Sequence, residues 1–285
     1  MKVGIDSYCY HRYFGEVYDN QRVPKNRMSF EDFIKRSIEF EVNGVSLETC
    51  FIPSFKETYL RKMKDIINKG RLEPVVAWGH PDGLEGGKNK LALQNMKKHF
   101  KTCHMLNAKI MRIVCSSLAF RNESHPPQIK RLSKMLKEPT KMAEENGIRL
   151  AIENHFDFTS GEILEILNNV HSDYLGVTFD TGNALRIGED PVEAAKRLST
   201  HIYATHVKDV APLYGGDPKE WYFFASVPVG KGIVDIPSIA RILEDAGYEG
   251  LFAIEVDYLD PKYGDEDLAV AESVKYLKDL SKKIS

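Results

Sequence analysis

The stretch RLAIENH, residues 149–155, places a carboxylate, an amide and an imidazole directly after an apolar run. The letters LAI are typical of a buried strand, and polar groups beside such a strand cost free energy unless they are hydrogen-bonded or coordinated. Glu153, Asn154 and His155 therefore predict partners from other parts of the chain. Three further apolar runs end in a similar way.

Eight short apolar or β-branched runs occur along the chain, and each is followed by a loop and a segment with helical periodicity. Several are apolar at both alternating positions, as expected for parallel strands that are buried on two faces. In order they are KVGIDSY (2–8), GVSLET (44–49), EPVVAWG (73–79), IMRIVCS (110–116), RLAIENH (149–155), LGVTFDTG (175–182), IYATHVKD (202–209) and GLFAIEVDY (250–258).

This eightfold alternation of strand and helix predicts the α/β class and a (β/α)8 TIM barrel. A doubly wound open sheet is the alternative, but no G-x-G-x-x-G motif follows the first run. Without a low-complexity linker or an internal repeat, we predict one barrel domain over residues 1–285. The segments that leave the strands are long, and in a barrel they all lie on the face where active sites are built.

Composition restricts the function classes. Hydrophobic residues make up 42% and charged residues 28% of the chain, and the net charge of −2 provides no basic field for nucleic acid. No apolar run approaches the roughly 20 residues that span a bilayer, and the first residues lack the apolar region of a secretory signal. The four scattered cysteines form no C-x-x-C pair, so we expect reduced thiols and a cytoplasmic location.

Four consecutive runs end in an ionisable side chain. Because the carboxyl ends of barrel strands ring one mouth, these side chains should come together, and three unpaired carboxylates would repel one another. A divalent cation would relieve this repulsion: we expect Mn²⁺ first, with Mg²⁺, Co²⁺ or Zn²⁺ as alternatives. For any one residue alone, a structural salt bridge is the alternative. The predicted ligands are Glu153, Asp180, His206 and Glu255.

The motifs AIENH, TFDTGN, THVKD and AIEVD resemble the xylose isomerase-like barrel superfamily of sugar isomerases and epimerases. The motifs lie in the C-terminal half, whereas the strand count and spacing fit nearly the whole chain. The resemblance implies that the family's Glu, Asp, His, Glu metal quartet maps onto the four residues above. It also implies that Glu153 and Glu255 act both as ligands and as acid–base groups on a keto-sugar.

Further site residues are predicted beside these motifs. Asn183 and Lys208 are candidates for binding substrate hydroxyls; the alternative for Lys208 is an ion pair with Asp209 or Glu255. His155 shares the strand parity of Glu153, which favours a role as general base or substrate contact. Trp78 and His80 leave the third run together, as in a sugar-stacking platform with a polar contact; a rim histidine with no such role is the alternative.

The first long loop begins DSYCYHRYFGE and is rich in aromatic residues, among which Tyr8 and His11 are candidate substrate contacts. So many rings suggest an apolar lid, although each ring alone could belong to the core. The same stretch resembles the metal subunits of enzymes that cleave 3-oxo-glycosides, including C-glycoside deglycosidases. That resemblance implies a lyase in which loss of an acidic proton is followed by elimination.

Two departures from the related families matter. Many epimerases carry a histidine where this chain has Asn183, and the abasic-site endonucleases also use that histidine together with an Asp-x-His pair that is missing here. A role in DNA repair is therefore disfavoured. The stretch PVGKGIVD, residues 228–235, could hold an anion such as a sugar phosphate on its backbone, or could simply form a tight turn.

The sequence thus predicts a metal-dependent isomerase or epimerase that enolises a sugar-derived ketone. The first alternative is a lyase acting on 3-oxo-glycosides. The second is a non-catalytic sugar-binding subunit of an oxidoreductase assembly, although four intact ligands argue against it. The expected partner is a small sugar or glycoside, with no nucleic acid or membrane, and a homo-oligomer or a partner subunit is possible.

Overall fold

Eight parallel strands close into a barrel in the computed structural model, which describes residues 1–284. The barrel strands are β1 (Lys2–Asp6), β2 (Gly44–Glu48), β3 (Glu73–Trp78), β4 (Ile110–Ile113), β5 (Arg149–Glu153), β6 (Leu175–Asp180), β7 (Ile202–Val207) and β10 (Leu251–Ile254). Each pairs with the next barrel strand along the chain, and β10 pairs with β1. The predicted (β/α)8 barrel is therefore confirmed, and each predicted run contains one of its strands.

A helix follows every barrel strand and packs on the outside. The helices are α1 (His11–Phe14), α2 (Phe30–Glu39), α3 (Glu57–Lys69), α4 (Lys90–Leu106), α5 (His125–Asn146), α6 (Ser160–Val170), α7 (Asn183–Arg186), α8 (Pro191–Leu198), α9 (Ile236–Asp245) and α10 (Glu266–Ile284). Of these, α1 and α7 are single turns in the loops at the mouth. Two more strands, β8 (Asp209–Pro212) and β9 (Phe224–Val227), form an antiparallel hairpin after β7.

The interior of the barrel is apolar at its base. Leu251 and Val75 belong to a small buried cluster there, and glycine is needed beside them: a Cβ on Gly44 would lie 2.6 Å from Cδ1 of Leu251. The larger core lies between the strands and the helices. Among the described residues, no helix combines the length and the apolarity that a membrane crossing requires. All four cysteines are free, as expected.

At the other end, the barrel interior becomes ionic. Alternation along the strands points every second side chain inward, and ionisable groups occupy the last inward position of six strands and the position directly after β10. We call these residues the mouth cluster: Asp6, Glu48, Arg112, Glu153, Asp180, His206 and Glu255. All seven are buried, so their charges must be balanced by one another or by a ligand.

Candidate metal centre

The four predicted ligands come together at the ends of β5, β6, β7 and β10, and we call them the quartet. One ligand-type atom of each lies within 4.8 Å of those of the other three. Nδ1 of His206 is 2.7 Å from Oε2 of Glu255 and 3.3 Å from Oε1 of Glu153. The predicted convergence of Glu153, Asp180, His206 and Glu255 is therefore present in the structure.

Backbone and amide groups fix the position of Asp180. Its Oδ1 accepts hydrogen bonds of 2.8 Å from the backbone N–H groups of both Gly182 and Asn183. Asn154 accepts from the Asp180 N–H at 2.7 Å and donates to its carbonyl at 2.9 Å. Asn154 therefore joins the end of β5 to the end of β6, which explains a buried amide directly after Glu153.

Lys208 supplies positive charge beside the quartet. Its Nζ lies 2.9 Å from Oδ2 of Asp257, 3.0 Å from Oδ2 of Asp180 and 3.5 Å from Oε1 of Glu255, and the side chain is 2% exposed. Burial acts to lower the pKa of Lys208, but the three carboxylates raise it above its ordinary value. The ammonium group is therefore charged and paired, with Asp180, Asp257 and Glu255 rather than with Asp209.

Strands β1, β2 and β4 contribute charged residues that the sequence analysis did not single out. Oδ2 of Asp6 lies 3.4 Å from Nε2 of His206. Arg112 forms an ion pair with Glu48, and its Nε lies 3.2 Å from Oε2 of Glu153. The signal available in the sequence was a charged residue inside or at the end of an apolar run, such as Arg112 in IMRIVCS. Such a residue does not reveal which side chain it pairs with.

The donor set fits a divalent cation. Including Asp257, six carboxylates are buried in this region, against the cations Arg112, Lys208 and Arg186, so full ionisation leaves an excess of negative charge. One oxygen each of Glu153, Asp180 and Glu255 lacks a hydrogen-bond donor, although cations lie nearby. Three carboxylates and an imidazole form the kind of ligand set that a divalent metal favours.

The pKa values of the quartet diverge in the metal-free protein. Burial raises the pKa of Asp180 to about 7. Burial also opposes ionisation of Glu255, but Lys208 and His206 lower its pKa to about 2. In the same way, Arg112 and His206 outweigh burial and lower the pKa of Glu153 well below its ordinary value. Glu153 and Glu255 are therefore ionised at neutral pH and able to accept a proton or a cation.

A cavity of about 420 Å³ lies above the quartet and includes Glu153 and Glu255 in its wall. Four of the other predicted residues line it: Tyr8, His80, His155 and Lys208. Nδ1 of His155 has no hydrogen-bond partner, and burial lowers the pKa of this imidazole to about 4. An unprotonated ring open to the cavity is consistent with the predicted role of His155 as a base or substrate contact.

Three predicted substrate contacts do not line this cavity. Trp78 points outward, because the preceding Ala77 is in register with the inward-facing Glu48 and Arg112. The indole N–H of Trp78 donates to Oδ1 of Asn95 on α4 at 2.8 Å, so the structure corrects the expected sugar-stacking position.

His11 and Asn183 are also set back from the cavity. His11 is fully buried, with its ring nitrogens 2.8 Å and 2.6 Å from the carbonyl oxygens of Glu16 and Asp257, so its expected substrate contact is also corrected. Asn183 lies behind the quartet, with its Nδ2 3.5 Å from Oε1 of Glu153, because its backbone caps Asp180. Asn183 therefore holds Asp180, a predicted metal ligand, in place more directly than it could contact a substrate.

Aromatic rings form the outer wall of the cavity. Tyr8 and Tyr18 come from the predicted lid, whereas Phe156 and Trp221 come from the loops after β5 and β8. The Trp221 ring centroid lies 5.2 Å from that of Tyr18 and 5.8 Å from that of Phe156. The sequence analysis missed Trp221 because no motif surrounds it in the loop after β8.

The glycine-containing stretch 228–235 already holds an anion of the protein itself. The backbone N–H groups of Gly230, Gly232 and Val234 donate to the carboxylate of Asp209 at 2.9, 2.8 and 3.2 Å. A Cβ on Gly232 would lie 2.0 Å from Oδ1 of Asp209, which explains the glycine. These donors are not free for a sugar phosphate.

Known proteins share this fold and parts of this sequence. Inosose dehydratase from Clostridium beijerinckii is 24% identical over 188 residues, which cover 62% of this chain and 61% of that protein. Inosose dehydratase from Mesomycoplasma hyopneumoniae is 22% identical over 275 residues, or 89% of each chain. The chain thus spans about three fifths of the first relative's length and most of the second's.

Solved structures agree on the fold. A D-tagatose 3-epimerase-like protein superposes with a TM-score of 0.74 at 18% identity, covering 100% of both chains. The IOLI protein with a binding zinc atom has a TM-score of 0.78 at 15% identity and covers 100% of this chain and 99% of its own. The family model described as xylose isomerase-like TIM barrel matches residues 36–280. The chain belongs to this xylose isomerase-like TIM barrel family.

Proposed function

We propose that the chain is a divalent-metal-dependent enzyme that removes the proton from the carbon beside the carbonyl of a sugar-derived ketone, leading to isomerisation or epimerisation. The observation that carries this proposal is the placement of two ionised carboxylates, Glu153 and Glu255, in the wall of one cavity beside two further ligand-type side chains. Relatives named as sugar epimerases and inosose dehydratases support a keto-sugar or a keto-cyclitol as substrate.

The quartet would hold the metal. When bound, a divalent cation supplies a Lewis acid that makes the C–H bond beside a carbonyl more acidic. Mn²⁺ remains our first choice on the carboxylate-rich ligand set, and the zinc of the structural relative makes Zn²⁺ the first alternative.

The side chains of this protein would then move the proton. A carboxylate oxygen of Glu153 or Glu255 would accept it, and the carboxylic acid so formed can return the proton to the neighbouring carbon, which isomerises the sugar. Epimerisation needs a proton on the second face of the same carbon, which the other carboxylate can deliver after it has taken up a proton from solvent. The imidazole of His155 is a further acceptor, because the ring is neutral at neutral pH and its Nδ1 has no hydrogen-bond partner. Tyr18 and Trp221 line the cavity, and their rings would limit the water beside a carbanion formed there.

Proton NMR in D₂O tests this function. Protein reconstituted with Mn²⁺ and then freed of excess metal is incubated with free ketohexoses, with a keto-inositol and with a 3-oxo-glucoside. Deuterium that appears in a rearranged sugar, and is lost when a chelator removes the metal, supports the isomerase or epimerase. If none of the three ketones exchanges a proton, the proposal fails and a non-catalytic sugar-binding subunit becomes the better interpretation.

A lyase is the second candidate, because the same carbanion can expel a substituent from the adjacent carbon. Proton loss and cleavage of the C–O bond then give an unsaturated ketone and water or an alcohol. The inosose dehydratase relatives favour this outcome, and so does the aromatic wall of Phe156, Tyr18 and Trp221, which suits an apolar leaving group. In the same experiment, a new vinylic proton signal without deuterated epimer would select the lyase.

A further inference from the structure

Arg112 is the one arginine in the mouth cluster, and all of its observed contacts are to buried groups. Its Nη1 donates to the carbonyl of Trp78 at 3.1 Å, its Nη2 pairs with Glu48, and its Nε lies 3.2 Å from Oε2 of Glu153. The residue is 5% exposed. Since a guanidinium is planar and rigid, its hydrogen bonds to Trp78 on β3 and to Glu48 on β2 fix its orientation, and the approach of Nε to Glu153 is an ion pair without a hydrogen bond.

This orientation divides the two oxygens of Glu153 between two environments. Oε2 faces Arg112, whereas Oε1 lies 3.3 Å from Nδ1 of His206 and 3.5 Å from Nδ2 of Asn183. Without Arg112, the carboxylate would lose its neighbour on the Oε2 side and could rotate. Glu255 has no comparable arginine, since its cationic neighbours are His206 and Lys208.

We propose that Arg112, oriented by Glu48, is a positioning residue that keeps Oε1 of Glu153 turned toward the quartet. The proposal rests on the proposed function in so far as Glu153 is both a ligand and a proton acceptor. A carboxylate with both tasks needs a fixed plane, and Arg112 supplies it from the side opposite His206. Glu48 does not line the cavity, and the side chain it pairs with is Arg112.

The test replaces the pair by apolar residues of similar size in the double variant Arg112→Met/Glu48→Met. Exchanging both members of the pair removes one buried charge of each sign, so the net charge of the mouth cluster is unchanged and the fold should survive. The matched control is Arg12→Met/Glu266→Met, which removes an arginine–glutamate pair with a buried glutamate and a partly exposed arginine, neither of which lines the cavity or belongs to the quartet. Far-UV circular dichroism and urea unfolding check that each variant folds.

The readout is Co²⁺ binding, which requires no turnover. We expect the double variant to bind Co²⁺ about 10- to 100-fold more weakly than the parent protein, the size typical of groups that orient metal ligands. Its visible Co²⁺ absorption spectrum should also change, because the coordination of Glu153 changes. The control variant should match the parent in both respects. An unchanged affinity and spectrum in the double variant would overturn the proposal.

Two single variants separate positioning from direct substrate binding, because Arg112 also borders the cavity. If Arg112 positions Glu153, Glu48→Gln should weaken Co²⁺ binding and lower kcat for proton exchange while leaving KM unchanged. Arg112→Lys should keep only part of the parent's Co²⁺ affinity and kcat. An increase of KM in Arg112→Lys with normal Co²⁺ binding in Glu48→Gln would contradict positioning.

Failure of the proposed function gives a different result. A parent protein that binds Co²⁺ but exchanges no proton on any ketone contradicts the function, while the Co²⁺ comparison still decides the role of Arg112. A parent protein that binds no Co²⁺ overturns both.

Discussion

The two halves of the barrel meet at one mouth but use their strand ends differently. The second half, β5, β6, β7 and β10, supplies the whole quartet. The first half supplies Asp6, Glu48 and Arg112, which contact quartet members or one another. One half therefore holds the predicted ligands and the other holds charged residues beside them, so substitutions in the two halves should differ in size of effect.

The largest effect is expected in the second half, from Glu255→Gln. The amide keeps the volume of the side chain but removes a charged ligand and a proton acceptor. Loss of one acid–base group alone lowers a rate by about 10²- to 10⁴-fold, so exchange into a keto-sugar in D₂O should fall at least that far. The metal-induced rise in Tm should also shrink. A variant with the parent's exchange rate would exclude Glu255 from the reaction.

A smaller effect is expected in the first half, from Asp6→Asn. Oδ2 of Asp6 lies 3.4 Å from Nε2 of His206, whereas its Oδ1 accepts from the Tyr8 N–H at 2.6 Å, a bond that asparagine can keep. Removing the charge behind a ligating histidine should weaken metal binding about 10- to 100-fold. Isothermal titration with Mn²⁺ measures this. If Asp6→Asn weakened Mn²⁺ binding as much as Glu255→Gln does in the same titration, the two halves would not be distinct.

The pH dependence of metal binding sharpens the comparison further. In the metal-free protein burial lowers the pKa of His206, but Glu255 and Glu153 raise it well above its ordinary value, and burial raises the pKa of Asp180 to about 7. Both groups must lose a proton to bind a cation. The affinity for the cation should therefore increase as the pH rises through these pKa values and decrease as the pH drops below them.

Below pH 7, each displaced proton should weaken Mn²⁺ binding about tenfold per pH unit. Titrations in buffers of different ionisation enthalpy count the released protons. An affinity that is flat between pH 6 and 8, with no proton release, would show that the quartet is already unprotonated.

The smallest effect is expected from Trp78→Phe, at a first-half strand end that points away from the mouth. The change removes the hydrogen bond to Asn95, so the free energy of unfolding should fall by about 1–2 kcal/mol. Urea unfolding measures that loss, and Asn95→Ala should reproduce part of it. KM for any accepted ketone should stay unchanged. An increase in KM would instead support the predicted contact between Trp78 and the substrate.

These contrasts show where the sequence was informative. The eight runs and the quartet could be predicted because alternation is repeated along the chain and because four polar strand ends occur consecutively. Trp78 was misplaced because a run that is apolar at both parities does not reveal which parity faces inward; only the register with Glu48 and Arg112 does.

The supporting charges were missed for a related reason. Asp6, Glu48 and Arg112 are isolated in sequence, and a single charge at a strand end is compatible with many partners. Their pairing depends on barrel closure, which brings β1 beside β10 and places β2 and β4 around the same interior. Trp221 lies in a loop whose path over the mouth no local pattern specifies.

The apolar base of the barrel has a kinetic consequence. Leu251 and Val75 fill the interior below the quartet, and the cavity above it is bounded by strand ends and mouth loops. Under the proposed function, a cation and a sugar would then arrive by the same route, with the cation first, and a bound sugar would block the way out. Addition would therefore be ordered, and a chelator should strip the metal more slowly at saturating substrate. The metal content of the protein would be set between turnovers, not during them.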